Sequence, residues 1–166
     1  MDQDELQERF LKTYDAYADD IFRFCASKVS SSELAQDLTQ DVFMRFWQTL
    51  RDGELLRNER ALLYTMARNL VIDWYRKKKA SSLDSLQEQG VDFANDDHQK
   101  ILENAQVREA LEVIDKLDEP SREALRLRYV DGFSPREIAA ITGESANVIS
   151  VRINRAIKKV QELIHA

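Results

Sequence analysis

The sequence predicts an all-α protein. Its 166 residues include four glycines and two prolines, too few for the turn-dense pattern of an all-β fold. Apolar residues recur at steps of three and four over long stretches, which is the period of a helix with one buried face. Because 43% of the residues are apolar, the chain can form a packed core, either as one ordinary domain or as two small ones.

The pattern of residues 1–79 predicts a bundle of three amphipathic helices. The first runs from about residue 3 to 28, and Ser30 followed by Glu33 forms the pattern of a capping box at the start of the second. Residues 51–58, which contain Gly53, end the second helix, and the third covers residues 59–79. The predicted apolar stripes comprise Leu6, Phe10, Tyr14, Tyr17, Ile21 and Phe24, then Leu34, Leu38, Val42, Phe43, Phe46, Trp47 and Leu50, then Leu63, Met66, Ala67, Leu70, Val71 and Trp74.

The composition of residues 80–100 predicts a flexible acidic linker. Residues 80–104 hold one basic and six acidic side chains, with little apolar surface to bury. Most of the net charge of −6 lies there, so the remainder of the chain is nearly neutral. Two local clusters are basic, residues 68–79 and residues 145–166, and these are the candidate contacts to DNA phosphates.

The pattern of residues 101–166 predicts a second domain of four helices. The fourth helix of the chain carries Ile101, Ala105, Leu111, Ile114 and Leu117 on one side. Pro120 opens the fifth, which extends to about Tyr129, and Asp131 with Gly132 forms a turn.

The last two helices match the physical demands of a helix-turn-helix. Ser134, Pro135 and Glu137 supply an N-cap, a proline in the first turn and a capping-box acid for the sixth helix. Gly143 fits the left-handed residue that ends it, and Ser145 caps a seventh helix reaching about Ile164. A helix-turn-helix also needs a small residue where its helices cross and an apolar residue early in its second helix, places filled by Ala139 and Ile149. The apolar stripe of the seventh helix comprises Ile149, Ile153, Ala156, Ile157, Val160, Leu163 and Ile164.

The side of the seventh helix opposite its apolar stripe is a candidate DNA-reading surface. Asparagine can bond an adenine edge, arginine can bond guanine or phosphate, and valine can touch a thymine methyl. The alternative is the solvated face of an ordinary core helix. The candidate residues are Ser145, Asn147, Ser150, Val151, Arg152, Asn154, Arg155 and Lys158, with Arg152 and Lys159 at the border of the face.

The third helix is a second candidate site. Asn69, Asp73 and Arg76 line up on the side away from Leu70, and residues 76–79 close the helix in a basic run. Interaction of that run with the negative end of the helix dipole is the alternative explanation. Tyr75 is a candidate for stacking on an unpaired base, whereas Trp74 lies on the apolar arc and is better assigned to the core.

Three phrases, in this order, resemble the extracytoplasmic-function (ECF) group of bacterial sigma factors. "ELAQDLTQDVFMRFW" (residues 33–47) is similar to the segment of region 2 that grips the β′ clamp helices of RNA polymerase. "ALLYTMARNLVIDWYRKKK" (residues 61–79) resembles the segment that helps melt the minus-10 element and reads its non-template strand. "LDEPSREALRLRYVDGFSPREIAAITG" with "SANVISVRINRAIKKV" (residues 117–143 and 145–160) resembles region 4, which reads the minus-35 element.

The resemblance implies domains at residues 1–79 and 101–166, joined by the linker at 80–100, and a role for each candidate residue. It implies core RNA polymerase (β′ clamp helices and β flap) and promoter DNA as partners, with an anti-sigma factor that masks both domains. The loop at residues 51–58 would capture a flipped base. Polymerase binding is implied for Asp37, Gln40, Asp41, Phe43 and Trp47, of which Phe43 and Trp47 would be partly in the core. Minus-10 binding is implied for Asn69, Asp73, Tyr75, Arg76 and Lys77, and minus-35 binding for the seventh-helix candidates named above.

The seventh helix departs from the family pattern. Many members have threonine, lysine and serine where this chain has Val148, Ser150 and Val151, and arginine where it has Ile157. Fewer charges mean fewer phosphate contacts, and exposed valines suggest apolar contact with thymine methyls or with a protein. The promoter sequence is therefore not transferable from relatives.

Other function classes find little support in the sequence. It contains no glycine-rich phosphate loop and no nucleophile with a plausible base, so an enzyme is not expected. Cys25 is the only cysteine, and His98 and His165 are isolated, so neither a metal site nor a cofactor is expected. No stretch approaches the roughly 20 uninterrupted apolar residues of a membrane span, and residues 1–8 are acidic, unlike a signal peptide, so we expect a cytoplasmic protein.

Two alternatives remain open at the level of sequence. A helix-turn-helix regulator with a helical sensor domain would look much the same in its last domain and would bind duplex DNA tightly without polymerase. An interaction protein that kept the fold but lost promoter recognition is compatible with the altered seventh helix.

Overall fold

The computed structural model describes residues 2–81 and 105–165, and throughout these ranges the regular elements are helices. The prediction of an all-α fold is confirmed. The described residues fall into two compact units, one in each range. Apart from Ala80 and Ser81, which belong to the third helix, the predicted linker lies outside the described residues, as does Ile101 of the predicted fourth helix.

The first unit is a bundle of α1 (Gln3–Ala26), α2 (Ser32–Arg51) and α3 (Glu59–Ser81), in which each helix packs against the other two. Its core confirms most of the predicted stripes. The largest fully buried side chains are Tyr64, Phe46, Ile21, Leu63, Val42 and Cys25. Tyr64 was not predicted, because it lies to one side of the apolar arc of α3 and becomes buried only where its ring meets Phe24 of α1 edge-on, at 5.3 Å between centroids.

The cap of α2 differs from the prediction. Ser31, not Ser30, is the N-cap, and its hydroxyl accepts a hydrogen bond from the Leu34 amide at 3.3 Å. Adjacent serines leave the sequence pattern ambiguous, and the extended backbone of Ser31 decides it. Glu33 is then the second helical residue rather than the third, which is the position that a capping-box acid occupies.

A polar contact ties the start of α3 to the middle of α1. The Arg9 Nε donates to the Glu59 carboxylate at 2.6 Å, and the buried Thr13 hydroxyl donates to the other oxygen of that carboxylate at 2.9 Å. The Asn58 side chain accepts from the Ala61 amide at 3.0 Å. These contacts fix the end of the loop at residues 52–58, which connects α2 to α3 over the surface of the unit.

The second unit contains α4 (Ala105–Asp115), α5 (Glu119–Leu125), α6 (Pro135–Thr142) and α7 (Ala146–Ile164). A π-helical turn, Arg126–Val130, continues α5. Because α7 packs against α4, α5 and α6, it is the central helix of the unit. Leu127, Phe133, Ile138 and Ile149 are fully buried between these elements.

The predicted boundaries of α6 and α7 are confirmed. The Ser134 hydroxyl accepts from the Glu137 amide, and the Glu137 carboxylate accepts from the Ser134 amide, which completes the capping box. Gly143 has φ +79° and ends α6, and the Ser145 hydroxyl caps α7 by accepting from the Val148 amide at 3.1 Å. Leu163 and Ile164, predicted on the buried stripe, are exposed in the last turn of α7.

Removal of the α6 cap should destabilise only the second unit. Ser134→Ala leaves the Glu137 amide without its acceptor, which costs about 1 kcal/mol. Both tryptophans, Trp47 and Trp74, lie in the first unit, so fluorescence reports its unfolding, whereas circular dichroism reports both units. In urea, the variant should shift the dichroism transition and leave the fluorescence transition unchanged.

Glu137→Gln is the matched control, because glutamine keeps the acceptor that completes the capping box. Equal losses of stability in Ser134→Ala and Glu137→Gln would contradict the role of the hydroxyl.

The buried thiol of Cys25 should make the first unit less stable at alkaline pH. Burial raises the pKa of Cys25 to about 11, an effect that the contact with Thr39 partly opposes. An exposed thiol in the unfolded chain ionises near pH ~8.5. As pH rises from about 8.5 towards about 11, the unfolded state therefore loses its proton first, and the free energy of unfolding falls.

Cys25→Ala removes this term, so the stability of the wild type relative to the variant should decline over that pH range when urea unfolding is followed by tryptophan fluorescence. A constant difference between the two proteins would show that the thiol ionises equally easily in both states.

Candidate functional site

The outer side of α2 carries an acidic face formed by Asp37, Gln40, Asp41 and Met44. Asp37 and Gln40 are exposed, and Asp41 is half-buried beside Arg45, whose Nε lies 3.4 Å from its carboxylate. Met44 is 65% exposed between these polar side chains. Sequence reasoning assigned apolar residues to the core and missed Met44, although its position one turn after Gln40 was a signal for it.

The two aromatic residues predicted to join this surface lie deeper. Phe43 is 2% exposed and packs against Tyr14 and Phe10, with ring centroids 4.8 and 6.3 Å apart. The structure buries Phe43, in agreement with its place on the predicted apolar stripe of α2, so its predicted role in polymerase binding would be indirect. Trp47 is half-buried, edge-on to Phe10 at 5.4 Å, and supports the surface while keeping part of its ring accessible.

Asn69, Asp73, Arg76 and Lys77 are exposed together on one side of α3, as predicted. Asp73 lies 3.9 Å from the Arg76 guanidinium, a loose contact between two exposed side chains that a ligand can displace at little cost. Ile72 is also exposed within this group and was missed for the same reason as Met44.

Tyr75 lies on a different side of α3 from these residues. Its hydroxyl donates to the Lys28 carbonyl in the connection between α1 and α2, and its ring meets Trp74 edge-on at 4.9 Å. The Lys78 ammonium lies 4.9 Å from the centroid of Trp74. The prediction that Trp74 is largely core is consistent with its half-buried ring, whereas Tyr75 remains half accessible but is held apart from the Asn69 group.

The outer face of α7 is defined here by its exposed side chains, Asn147, Val148, Val151, Asn154, Arg155 and Lys158. All but Val148 were predicted as contact residues. Ser150 is half-buried at the edge of the face, and Ser145 is used as the N-cap. The N-terminal half of α7 follows the tight turn at Gly143 and leaves this face open, which is the arrangement of a recognition helix.

Among the described residues, Arg152 of α7 has a strong partner within the unit. Its two terminal nitrogens donate to the two carboxylate oxygens of Glu144, each at 2.7 Å. This is the bidentate geometry in which arginine binds carboxylates most strongly. Hydrogen bonding to Glu144 is the main cause of the raised pKa of Arg152, and the charges of Asp118 and Glu123 on the α5 side add to it.

Asp118 belongs to the same group of charges. Its carboxylate is the N-cap of α5 and accepts from the Ser121 amide. A hydrogen bond with the Ser121 side chain is the main cause of its lowered pKa, and the bond from the Ser121 amide and the charges of Arg152 and Lys159 lower it further. Arg152 therefore links the turn before α7 to the start of α5, and the structure does not bring it to the outer face.

Among residues 2–81 and 105–165, no helix is long and apolar enough to span a membrane, and no group of three histidine, cysteine or acidic side chains is placed to hold a metal ion.

Two family models match the chain, one for each unit. Sigma-70 region 2 matches residues 13–81, and Sigma-70 region 4 matches residues 108–160. The chain is also 31% identical over 149 residues to the ECF RNA polymerase sigma factor EcfG of Rhodopseudomonas palustris, covering 86% of this chain and 77% of that relative. The chain belongs to the ECF family of RNA polymerase sigma factors.

Two further likenesses extend over almost the whole of this sigma factor. It is 25% identical over 163 residues to the ECF sigma factor SigX of Bacillus subtilis, covering 95% of this chain and 84% of that relative. Its structure is similar to that of a sigma factor, RpoE, solved in complex with the anti-sigma factor NepR from Bartonella quintana. The TM-score is 0.70, with 25% identity and coverage of 96% of this chain and 98% of the other.

The ion pair between Glu144 and Arg152 should stabilise the helix-turn-helix of this sigma factor rather than contact DNA. Arg152→Met keeps the aliphatic part of the side chain and removes the bidentate contact to the largely exposed Glu144 carboxylate. We expect a destabilisation of about 1 kcal/mol, discounted for the partial exposure of the pair. Circular dichroism in urea measures it, and the salt dependence of holoenzyme binding to a promoter should keep its slope.

Lys158→Met is the matched control, because Lys158 is exposed on the outer face and makes the opposite prediction: unchanged stability and a shallower salt slope. A shallower slope in Arg152→Met would show that its guanidinium contacts phosphate after all.

Proposed function

We propose that this ECF sigma factor binds core RNA polymerase through the acidic face of α2, directs the enzyme to promoters through α7, and helps open the minus-10 region through α3. The observation that carries the proposal is the presence, in one chain, of a region 2 unit with an exposed acidic face and a region 4 unit with an open recognition helix.

The acidic face of α2 is suited to a basic protein surface. Asp37 and Asp41 lie one helical turn apart, and Gln40 and the exposed Met44 lie beside them, so hydrogen bonding and apolar burial combine with charge complementarity. The β′ clamp helices of the polymerase are the partner that the family implies. Phe43 would contribute indirectly, because its ring packs α2 against α1.

The exposed group on α3 is suited to a separated DNA strand. Asn69 offers an amide to a base edge, and Arg76 and Lys77 offer charge to the phosphates. We assign Tyr75 a supporting role, because its hydroxyl is bonded to the backbone at Lys28. Strand separation would draw on binding energy alone, and the sigma factor would carry out no covalent chemistry and need no cofactor.

Two further features of the proposal follow from the family. The protein would act in the cytoplasm, where RNA polymerase and the chromosome are. An anti-sigma factor would regulate it, since the similar structure from Bartonella quintana holds one.

Charge reversal on α2 tests the proposal directly. Asp37→Arg combined with Asp41→Arg should weaken binding to core polymerase more than tenfold, because each removed attraction becomes a repulsion. Promoter-specific run-off transcription should be lost with it. Native gel shifts with and without core enzyme measure binding, and the wild type should bind specific DNA tightly only with core present.

Asp15→Arg combined with Asp19→Arg is the matched control. These two acids have the same spacing and are exposed on α1 of the same unit, so the double variant changes the net charge equally. Tight specific binding of the wild type to duplex DNA without core would favour a helix-turn-helix regulator. Full activity of the α2 variant would rule out the clamp assignment.

A further inference from the structure

The outer face of α7 contains a line of three side chains whose chemistry suits one kind of base pair. Asn147, Val151 and Asn154 follow one another at steps of four and three residues, so they lie along one side of the helix. At a rise of about 1.5 Å per residue they span about 10 Å, or about three base-pair steps of roughly 3.4 Å.

Both residue types in this line favour A·T pairs. An asparagine amide can bond the N6 and N7 edge of adenine in two places, and a valine methyl can contact the C5 methyl of thymine. Val151 is 39% exposed and Val148, beside it on the same face, is 43% exposed. On a helix whose other apolar residues are mostly packed inwards, two exposed valines next to two asparagines form an amide and methyl surface.

The residues that would read guanine are few on this face. Arginine is the usual partner of guanine O6 and N7, and the helix has two, Arg152 and Arg155. Glu144 occupies the guanidinium of Arg152 with two hydrogen bonds of 2.7 Å. Arg155 is left as the one arginine of the outer face, and Lys158 lies a turn beyond Asn154, where it can meet a phosphate.

We infer that α7 recognises a run of consecutive A·T pairs, with Asn147 and Asn154 bonding adenines and Val151 contacting a thymine methyl between them. Arg155 supplies at most one guanine or phosphate contact at the edge of the run. This inference rests on the proposed function, since it names the DNA chemistry of the same surface.

The experiment begins with holoenzyme, assembled from the full chain and core polymerase, selecting promoters from a library randomised upstream of a fixed start region. Enrichment of an A·T run in the upstream element is expected. A selected element dominated by G·C pairs would overturn the inference while leaving the sigma function in place. Failure to select any promoter would count against the proposed function itself.

The selected promoter then allows single functional groups of the bases to be changed. Replacing each thymine of the run by uracil removes only the methyl, and at one position it should weaken wild-type holoenzyme binding about fourfold. For Val151→Ser the same replacement should have no effect. The expected result is that uracil weakens binding of the wild type but not of Val151→Ser. An equal weakening in both proteins would overturn the contact between Val151 and the thymine methyl.

Replacing adenines by 7-deazaadenine tests the asparagines in the same way. At the adenine that Asn154 reaches, the replacement should lower the affinity of wild-type holoenzyme about tenfold. Asn154→Ala should bind the unmodified promoter more weakly, and its affinity should not fall further when that adenine is replaced. Gln161→Ala is the control, because it removes an exposed amide from the same helix two turns beyond Asn154. It should retain the full sensitivity of the wild type. If Val151→Ser weakens binding to core polymerase without DNA, the valine contacts protein and the inference fails.

Discussion

The left-handed turn at Gly143 is the constraint on which the second unit depends. It ends α6 and starts α7 within three residues, and a side chain with a Cβ would be strained at its φ of +79° by about 1–2 kcal/mol. Because α7 packs against α4, α5 and α6, the angle set by this turn determines both the core around Ile149 and the orientation of the outer face. The proposed DNA contacts and the folding of this unit therefore depend on the same turn.

In the first unit, too, the packing of the core determines how a candidate binding face is oriented. α2 presents Val42 and Phe46 to the core and Asp37 and Gln40 to the outside, so the packing of its buried stripe against α1 aims the acidic face. Phe43 belongs to the buried side and Met44 to the exposed one, although they are neighbours in the chain. If the acidic face binds polymerase as proposed, a substitution at either kind of position would alter that binding, through stability in one case and through contact in the other.

The charges on α7 explain how a chain of net charge −6 fits a DNA-binding role. Arg155 and Lys158 project from the outer face and Lys159 lies at its border, while Arg152 is held by Glu144. With so few free basic side chains on the outer face, counterion release would contribute little affinity to the isolated protein. In the proposed function, tight binding therefore requires the polymerase, and the selectivity of α7 would come from base edges more than from charge.

The sequence by itself determined the helices, the capping box of α6, the glycine turn and the family, because these depend on local patterns of residue type and spacing. It also placed Asn69, Asp73 and most of the α7 candidates on exposed faces, since helical periodicity alone separates the two sides. Only the tertiary structure decided the surroundings of Tyr64, Tyr75 and Arg152, whose ring, hydroxyl and guanidinium meet partners on other elements. Those partners are distant in sequence or across a turn, and no periodicity within one helix specifies them.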